Sequence, residues 1–348
     1  MKLGVVPENL IERLLLLFKL VPTPIFDTQV AFMLARTIMV GTKLGIFEAL
    51  APGPLTVAEI AAQCKTDPTA TIKLLNALVG AGYLRTKKEC YSLTPVARKW
   101  LLKDSPQAIF DKIMFLFTEW EWTTHYEAYV RTGKPLSIHD MLSDETWEVY
   151  QRGMRSMVGF QSREVIWRTP MPKKARNMLD IGGAHGYFSV IFCRHYPALS
   201  AVVLDLPEAV KHAAPILAKD GMGKRVVHRV GNALTDDLGT DAWDLIFISQ
   251  FVHHFDDATN RDLVRRAARA LRPGGFLAIQ DVLNPPVSKK KEVALLADLY
   301  IANTSQSGRW LLEAMADWQR AAGLIPRKPV RFRSLPGFGQ QAAMKPAT

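Results

Sequence analysis

Cysteine is scarce in this chain: three in 348 residues, Cys64, Cys90 and Cys193. An odd number without metal-ligand spacing excludes a disulfide framework and a structural zinc site, and points to free thiols in a reducing, cytoplasmic compartment. Long apolar runs are missing as well. Leu14 to Phe18 is bracketed by Arg13 and Lys19, far short of the ~20 residues that span a bilayer, and no small-residue cleavage site follows it, so neither a membrane anchor nor a signal peptide is expected. Two nucleotide signatures are absent. There is no G-x-x-x-x-G-K-[ST] phosphate loop, and a dinucleotide G-x-G-x-x-G counted from Gly182 fails at Ala184 and Tyr187. Acidic residues are in deficit, 33 against 44 Lys and Arg, for a net charge of +11. That balance raises nucleic-acid binding as a function class to be tested.

What is present is a run of apolar residues that ends in an acid and a glycine-rich turn, Leu179-Asp-Ile-Gly-Gly-Ala-His-Gly186, followed by a second run, Val202 to Asp205, that also ends in an acid. Small residues at the turn let the backbone bend sharply and approach a ligand closely. In open α/β sheets, ligands lie beyond the carboxyl ends of the strands, where an acid closing the second strand can accept hydrogen bonds from a ribose. With both pyrophosphate signatures excluded, the turn reads as a site for a nucleoside ligand without a pyrophosphate, or as an ordinary tight βα turn.

Downstream, Pro207 opens a helix, Arg225 to Asn232 reads as a third strand and turn, and Asp244 to Ser249 as a fourth strand. Arg261 to Leu271 has helical spacing, and Arg272-Pro-Gly-Gly275 stops it before a strand from Phe276 to Gln280. This alternation predicts a doubly wound parallel sheet. Earlier in the chain, Thr56-Val-Ala-Glu59 is a capping box, Asp67-Pro68 opens a second helix, and Tyr83 to Leu93 reads as a wing hairpin before Thr94-Pro95. A chain of this length, 48 % apolar, exceeds what one core fills.

The strand-acid-glycine turn resembles motif I of class I S-adenosylmethionine-dependent methyltransferases. The whole order is similar to the small-molecule O-methyltransferases of plant phenolic and bacterial natural-product metabolism: Asp205-Leu-Pro, then His253-His-Phe-Asp-Asp257, then Leu271-Arg-Pro-Gly-Gly275. The resemblance implies a winged-helix dimerisation domain over residues 1–105, connecting helices that contribute to the substrate pocket over 106–165, and a Rossmann-like methyltransferase domain over 166–348. It also implies a homodimer held by the N-terminal helices, S-adenosyl-L-methionine as cofactor, and an aromatic or polyketide-like acceptor.

Residue by residue, the resemblance assigns Asp180, Gly182, Gly183 and Gly186 to the cofactor's methionine end and Asp205 to its ribose. Leu206, Asn232 and Ala233 go to the adenine, with Ser249 and Gln250 flanking. His253 takes the position of the catalytic histidine. A phenol, with a pKa of about 10, can pass its proton to a neutral imidazole, of pKa about 6.5, as it attacks. Asp281 matches the first supporting acid. Arg309 stands where a second acid is usual, and Glu313 lies about one helical turn beyond, so either Glu313 substitutes or that acid is missing. His254 replaces an aspartate. Trp120, His125, Met154 and Met157 are assigned to the acceptor, although such aromatic and methionine stripes also serve as core.

Two other functions are weighed. The changes at His254, Phe255 and Arg309 leave open a cofactor-assisted hydroxylation, decarboxylation or pericyclic reaction. A winged-helix DNA-binding regulator needs a basic recognition helix, and Pro68 to Leu78 carries Lys73 alone; the positive charge lies instead at 87–88, 173–176, 265–266 and 289–291.

Overall fold

A computed structural model describes residues 4–159, 162–284, 286–288, 292–306, 308–334 and 337–347; the lysine run at 289–291 lies outside the described residues. The chain forms two units, Met1–Phe117 with Lys289–Val293, and Thr118–Ser288 with Ala294–Thr348. The segment 106–165 is no unit of its own, because the division falls inside the helix Phe110–Thr123.

The first unit opens with the helix Leu10–Leu17, whose N-cap Asn9 accepts the Glu12 amide at 2.9 Å. Leu10, Ile11 and Leu17 are each 71 % exposed, an uncovered apolar stripe of the kind that marks an interaction surface. After it, β1 (Leu55–Thr56), β2 (Leu84–Lys87) and β3 (Cys90–Leu93) pair antiparallel in the order β1-β3-β2. Between β1 and β2 lie the helices Val57–Cys64 and Pro68–Gly80. The first is set by the Thr56/Glu59 capping box and the second by Asp67, whose carboxylate accepts the Ala70 amide at 2.7 Å. Ile60, Leu75 and Leu78 from these helices pack on Ile46, Phe47 and Leu50. The unit thus sets a small three-stranded antiparallel sheet beside a mainly helical core.

The second unit is built on one sheet: β4 (Asn177–Ile181), β5 (Ser200–Asp205), β6 (Val226–Val230), β7 (Trp243–Ser249), β8 (Leu271–Val282), β9 (Ile325–Pro326), β10 (Val330–Arg331) and β11 (Phe338–Met344). Its order is β10-β11-β8-β7-β4-β5-β6, with β9 beside β11; β4 to β8 run parallel and β11 antiparallel. The chain winds outward from β4 to β6, then returns to lay β7 on the other side of β4. Strand order therefore reverses between β4 and β7, and a crevice opens at their carboxyl ends. Apolar cores cover both faces of the sheet, which is why its central strands read as continuous apolar runs rather than alternating ones.

One expectation is corrected. The strand predicted from Phe276 begins at Leu271, directly after the helix Asp257–Ala270, and the register against β7 jumps from Trp243↔Leu271 to Leu245↔Phe276. Arg272 to Gly275 form an irregularity inside the strand rather than a loop before it. A Cβ on Gly275 would stand 2.9 Å from the Arg272 carbonyl and 3.1 Å from those of Trp243 and Asp244, so glycine is required there.

Candidate active site

The crevice is shaped first by the turn after β4. Gly182 has φ +64°, and a Cβ there would lie 2.3 Å from the Phe251 ring, while a Cβ on Gly183 would meet the Asp180 carboxyl at 2.6 Å. Ala184 follows at φ +48°, a left-handed conformation that costs a non-glycine residue energy. Two bonds hold it: its amide donates to Asp205 Oδ2 at 2.8 Å, and its carbonyl accepts His228 Nε2 at 2.8 Å. His228 had no signal in the sequence, because its partner is a backbone atom 44 residues away. Gly186, at φ +70°, caps the helix Tyr187–His195. Asp180 lies beneath the turn, 1 % exposed. Burial pushes its carboxyl up to about 7, opposed by the Ser189 hydroxyl that donates to Oδ2 at 2.7 Å.

Beyond β7 and β8 stands an imidazole-carboxylate pair. His253 Nδ1 donates to Asp281 Oδ1 at 2.8 Å and the His253 amide to Oδ2 at 3.3 Å; Asp281 Oδ1 also accepts the Val282 amide at 2.7 Å. Asp281 is fully buried, and the His253 side chain is 11 % exposed. The carboxylate thus fixes the orientation of the ring and leaves Nε2 as the nitrogen without a bond to it. Residues the sequence did not single out fix the loop. Asn260, itself fully buried, donates to the carbonyls of Val252 and Phe255 at 3.0 Å each, and Trp310 Nε1 donates to the Val252 carbonyl at 3.0 Å.

A cavity of about 460 Å³ runs from the glycine turn to this loop, within the range of roughly 300–1,000 Å³ usual for small-molecule sites. Of the residues assigned to the cofactor, Gly182, Asp205, Leu206, Asn232, Ala233 and Gln250 line it. Asp180, Gly183, Gly186 and Ser249 are not among the lining residues and shape the turn and strand ends from behind. Gln250 adopts φ +52° while its amide continues the ladder to the Gln280 carbonyl at 2.8 Å, so the chain turns into the cavity at that point. Gly231 and Phe251 also line the cavity and were not anticipated.

The acceptor assignments need correction. Trp120, His125, Met154 and Met157 are not among the described residues that line the cavity. His125 Nδ1 is bonded to Asn303 Oδ1 at 2.9 Å, a structural role. On the helix Asp144–Val158, Trp147, Tyr150 and Gln151 face the cavity, rather than the methionines further along, and His139 joins them from the helix Ile138–Met141. Glu313 is also misassigned. It sits 71 % exposed on the outer side of the helix Leu312–Ala321, paired with Arg320 at 3.0 Å. The residue turned towards Asp281 from this segment is Arg309, whose side chain is 3 % exposed. Its guanidinium donates to the carbonyls of Leu283 and Ala294 at 3.2 and 3.1 Å and meets Asp298 at 3.3 Å. Burial holds it below its ordinary value, countered by the charges of Asp298 and Asp281. Finally, His254 rather than His253 meets the cavity; the two rings are 4.1 Å apart.

The comparisons agree with this geometry. An O-methyltransferase domain matches residues 122–318 and an O-methyltransferase dimerisation domain matches residues 26–103. The chain is 26 % identical to the 3-hydroxy-5-methyl-1-naphthoate 3-O-methyltransferase of Streptomyces sahachiroi over 93 % of this chain and 95 % of that protein. It is 27 % identical to the O-demethylpuromycin-O-methyltransferase of Streptomyces alboniger over 75 % and 72 % of the two chains. In fold it is similar to human N-acetylserotonin methyltransferase in complex with SAM, at a TM-score of 0.82, 20 % identity, and 99 % and 100 % coverage. With one profile spanning more than half of the chain and a site of the matching architecture, this protein belongs to the O-methyltransferase family.

Proposed function

We propose that this protein transfers a methyl group from S-adenosylmethionine to a hydroxyl of a small aromatic or polyketide-like acceptor, with His253 as general base, Asp281 as the carboxylate that orients it, and a homodimer as the working form. The observation that carries the reading is the His253–Asp281 hydrogen bond of 2.8 Å, beside a cavity that begins at a glycine turn.

The chain's residues fit the cofactor. Asp205 uses each carboxylate oxygen once, on the amides of Ala184 and Leu206, and a carboxylate with about four acceptor positions keeps two for ribose hydroxyls. Leu206 and Ala233 offer an apolar face for a purine. Asn232 gives its carbonyl to the Leu234 amide at 2.9 Å, leaving one lone pair for an exocyclic amine. When bound, the cofactor supplies an activated methyl group together with its leaving group. What remains for the protein is alignment and proton removal: His253 Nε2 takes the hydroxyl proton, and Asp281 stabilises the resulting imidazolium. A hydroxylase, decarboxylase or pericyclic enzyme has no evident use for a base fixed against a buried carboxylate, which favours methyl transfer. The exposed stripe of Leu10, Ile11 and Leu17 and the dimerisation-domain match over 26–103 support the homodimer.

Calorimetric titration with S-adenosylmethionine, with NAD as control, tests the cofactor, and a methyl-transfer screen over naphthols and phenols tests the reaction. Binding of the first ligand alone with transfer to an aromatic hydroxyl is expected; binding of neither would refute the reading.

A further inference from the structure

The cavity wall next to His253 is rich in imidazole rings. His253, His254 and His139 form a continuous run of imidazoles, with ring centroids 4.1 Å apart for the first pair and 5.3 Å for the second. His139 stacks on Trp147 at 5.6 Å, and Trp147 meets Tyr150 edge-on at 5.5 Å, so packed aromatic rings line this part of the cavity. Within this run, the carboxylate hydrogen-bonded to an imidazole is Asp281, and it is engaged by His253. Asp140, beside His139 in sequence, also lines the cavity, and its charge opposes the lowering of His139 by burial, but it has no bond to either cavity-facing ring among the described residues. His254 Nδ1 lies 3.3 Å from the Ser305 hydroxyl. Burial, with the charges of His253 and His139, holds His254 well below its ordinary value, so it rests as a neutral ring. One turn of helix from Trp147, Gln151 is 1 % exposed and lines the cavity, yet both polar atoms of its amide lack a partner among the described residues. A buried amide of this kind is costly to leave unpaired, which indicates that a ligand completes it.

We propose that His254, His139 and the Gln151 amide form a subsite for a carboxylate carried by the acceptor, so that the methylated substrate is a hydroxyaryl carboxylic acid. The inference rests on the reading of methyl transfer to an aromatic hydroxyl and names the substrate class for that site. Two imidazole N–H groups and an amide NH2 are donors; of the acids that line the cavity, Asp140, Asp205 and Glu208, none is bonded to these three groups among the described residues, and the acceptor's carboxylate completes the unpaired Gln151 amide. Either cavity-facing ring can take up a proton once that anion is in place.

The test uses the full chain preloaded with S-adenosylhomocysteine and titrated calorimetrically with 3-hydroxy-1-naphthoic acid, 3-hydroxy-2-naphthoic acid, their methyl esters and 2-naphthol. Hydrogen bonds to charged groups are the stronger class, so at least one acid should bind about tenfold more tightly than its ester and the naphthol. H254D should erase or reverse that preference, and H254N, which keeps a donor but cannot become a cation, should reduce it; H139N should act in the same direction. Equal binding of acid and ester, or a preference unmoved in H254D and H139N, would overturn the subsite. Tight binding of an acid without methyl transfer to it, or to any phenol in the panel, would leave the subsite standing and sink the methyl-transfer reading instead.

Discussion

Asp281→Asn separates geometry from charge at the base. The wild-type carboxylate is fully buried and accepts three hydrogen bonds, two at Oδ1, from His253 Nδ1 and the Val282 amide, and one at Oδ2, from the His253 amide at 3.3 Å. An asparagine can place its oxygen at either position. At Oδ1 it keeps the two short bonds and with them the Nδ1–H tautomer, and its NH2 then faces the amide at the longest of the three contacts. The other orientation turns a donor towards two N–H groups, so the first is preferred. Tautomer and ring position therefore survive, and what is lost is the negative charge that stabilises the imidazolium, together with one weak bond. Charged hydrogen bonds exceed neutral ones by about 1–2 kcal/mol, so kcat should fall by about 5- to 30-fold. His253→Ala removes the base and should lose about 10²- to 10⁴-fold. In the double variant, Asp281→Asn should cost nothing further, because its effect passes entirely through the imidazole. The assay is kcat for methyl transfer to an accepted naphthol, alongside calorimetric cofactor affinity, which should stay within about twofold in all three variants. Additive losses in the double variant would refute the coupling. If His254→Ala is inactive while His253→Ala turns over normally, the base is the ring that meets the cavity.

Three further outcomes follow from the geometry. Asp180 has its folded-state pKa raised from 3.8 to about 7, chiefly by burial, so between those values the folded chain holds a proton that the unfolded chain has released, and stability falls as pH rises through that window. The fall, up to about 4 kcal/mol, should be absent from Asp180→Asn, whose melting temperature at pH 8 should exceed that of wild type without ligand; parallel curves for the two proteins would contradict the assignment. Gly182→Ala places a methyl 2.3 Å from the Phe251 ring at φ +64° and should weaken cofactor binding at least tenfold, read by titration; unchanged affinity would show that the turn yields freely. Glu313→Gln, at a residue 71 % exposed, should leave kcat within about twofold of wild type, whereas a tenfold loss would return that acid to the mechanism.

The features legible in the sequence were those whose cause is local. A glycine turn after an apolar run, an acid closing the next strand, and caps at Thr56 and Asp67 each announce themselves within a few residues, because sterics and capping act at that range. The Arg272–Gly275 stop signal was misread for the converse reason. Read locally, Pro and Gly end the preceding helix and hold the strand off until Phe276, but here the strand starts at Leu271 and pairing with β7 on either side of the irregularity carries it through, with glycine required at 275. Convergence in space was the harder part. Trp147 and Met154 belong to the same helix, and its periodicity does not say which stretch meets the cavity. His139 reaches His254 across 115 positions, placed there because the Leu136 amide donates to the Asn303 carbonyl at 2.8 Å, a bond without sequence signature. Arg309 is the sharpest case. Spacing alone left it as an acid's replacement with Glu313 as understudy. In the fold, three partners hold the guanidinium, and a carboxylate in that seat would face the carbonyls of Leu283 and Ala294 as well as Asp298. These partners seat a cation there, and the His253 imidazole has Asp281 as its one bonded carboxylate among the described residues.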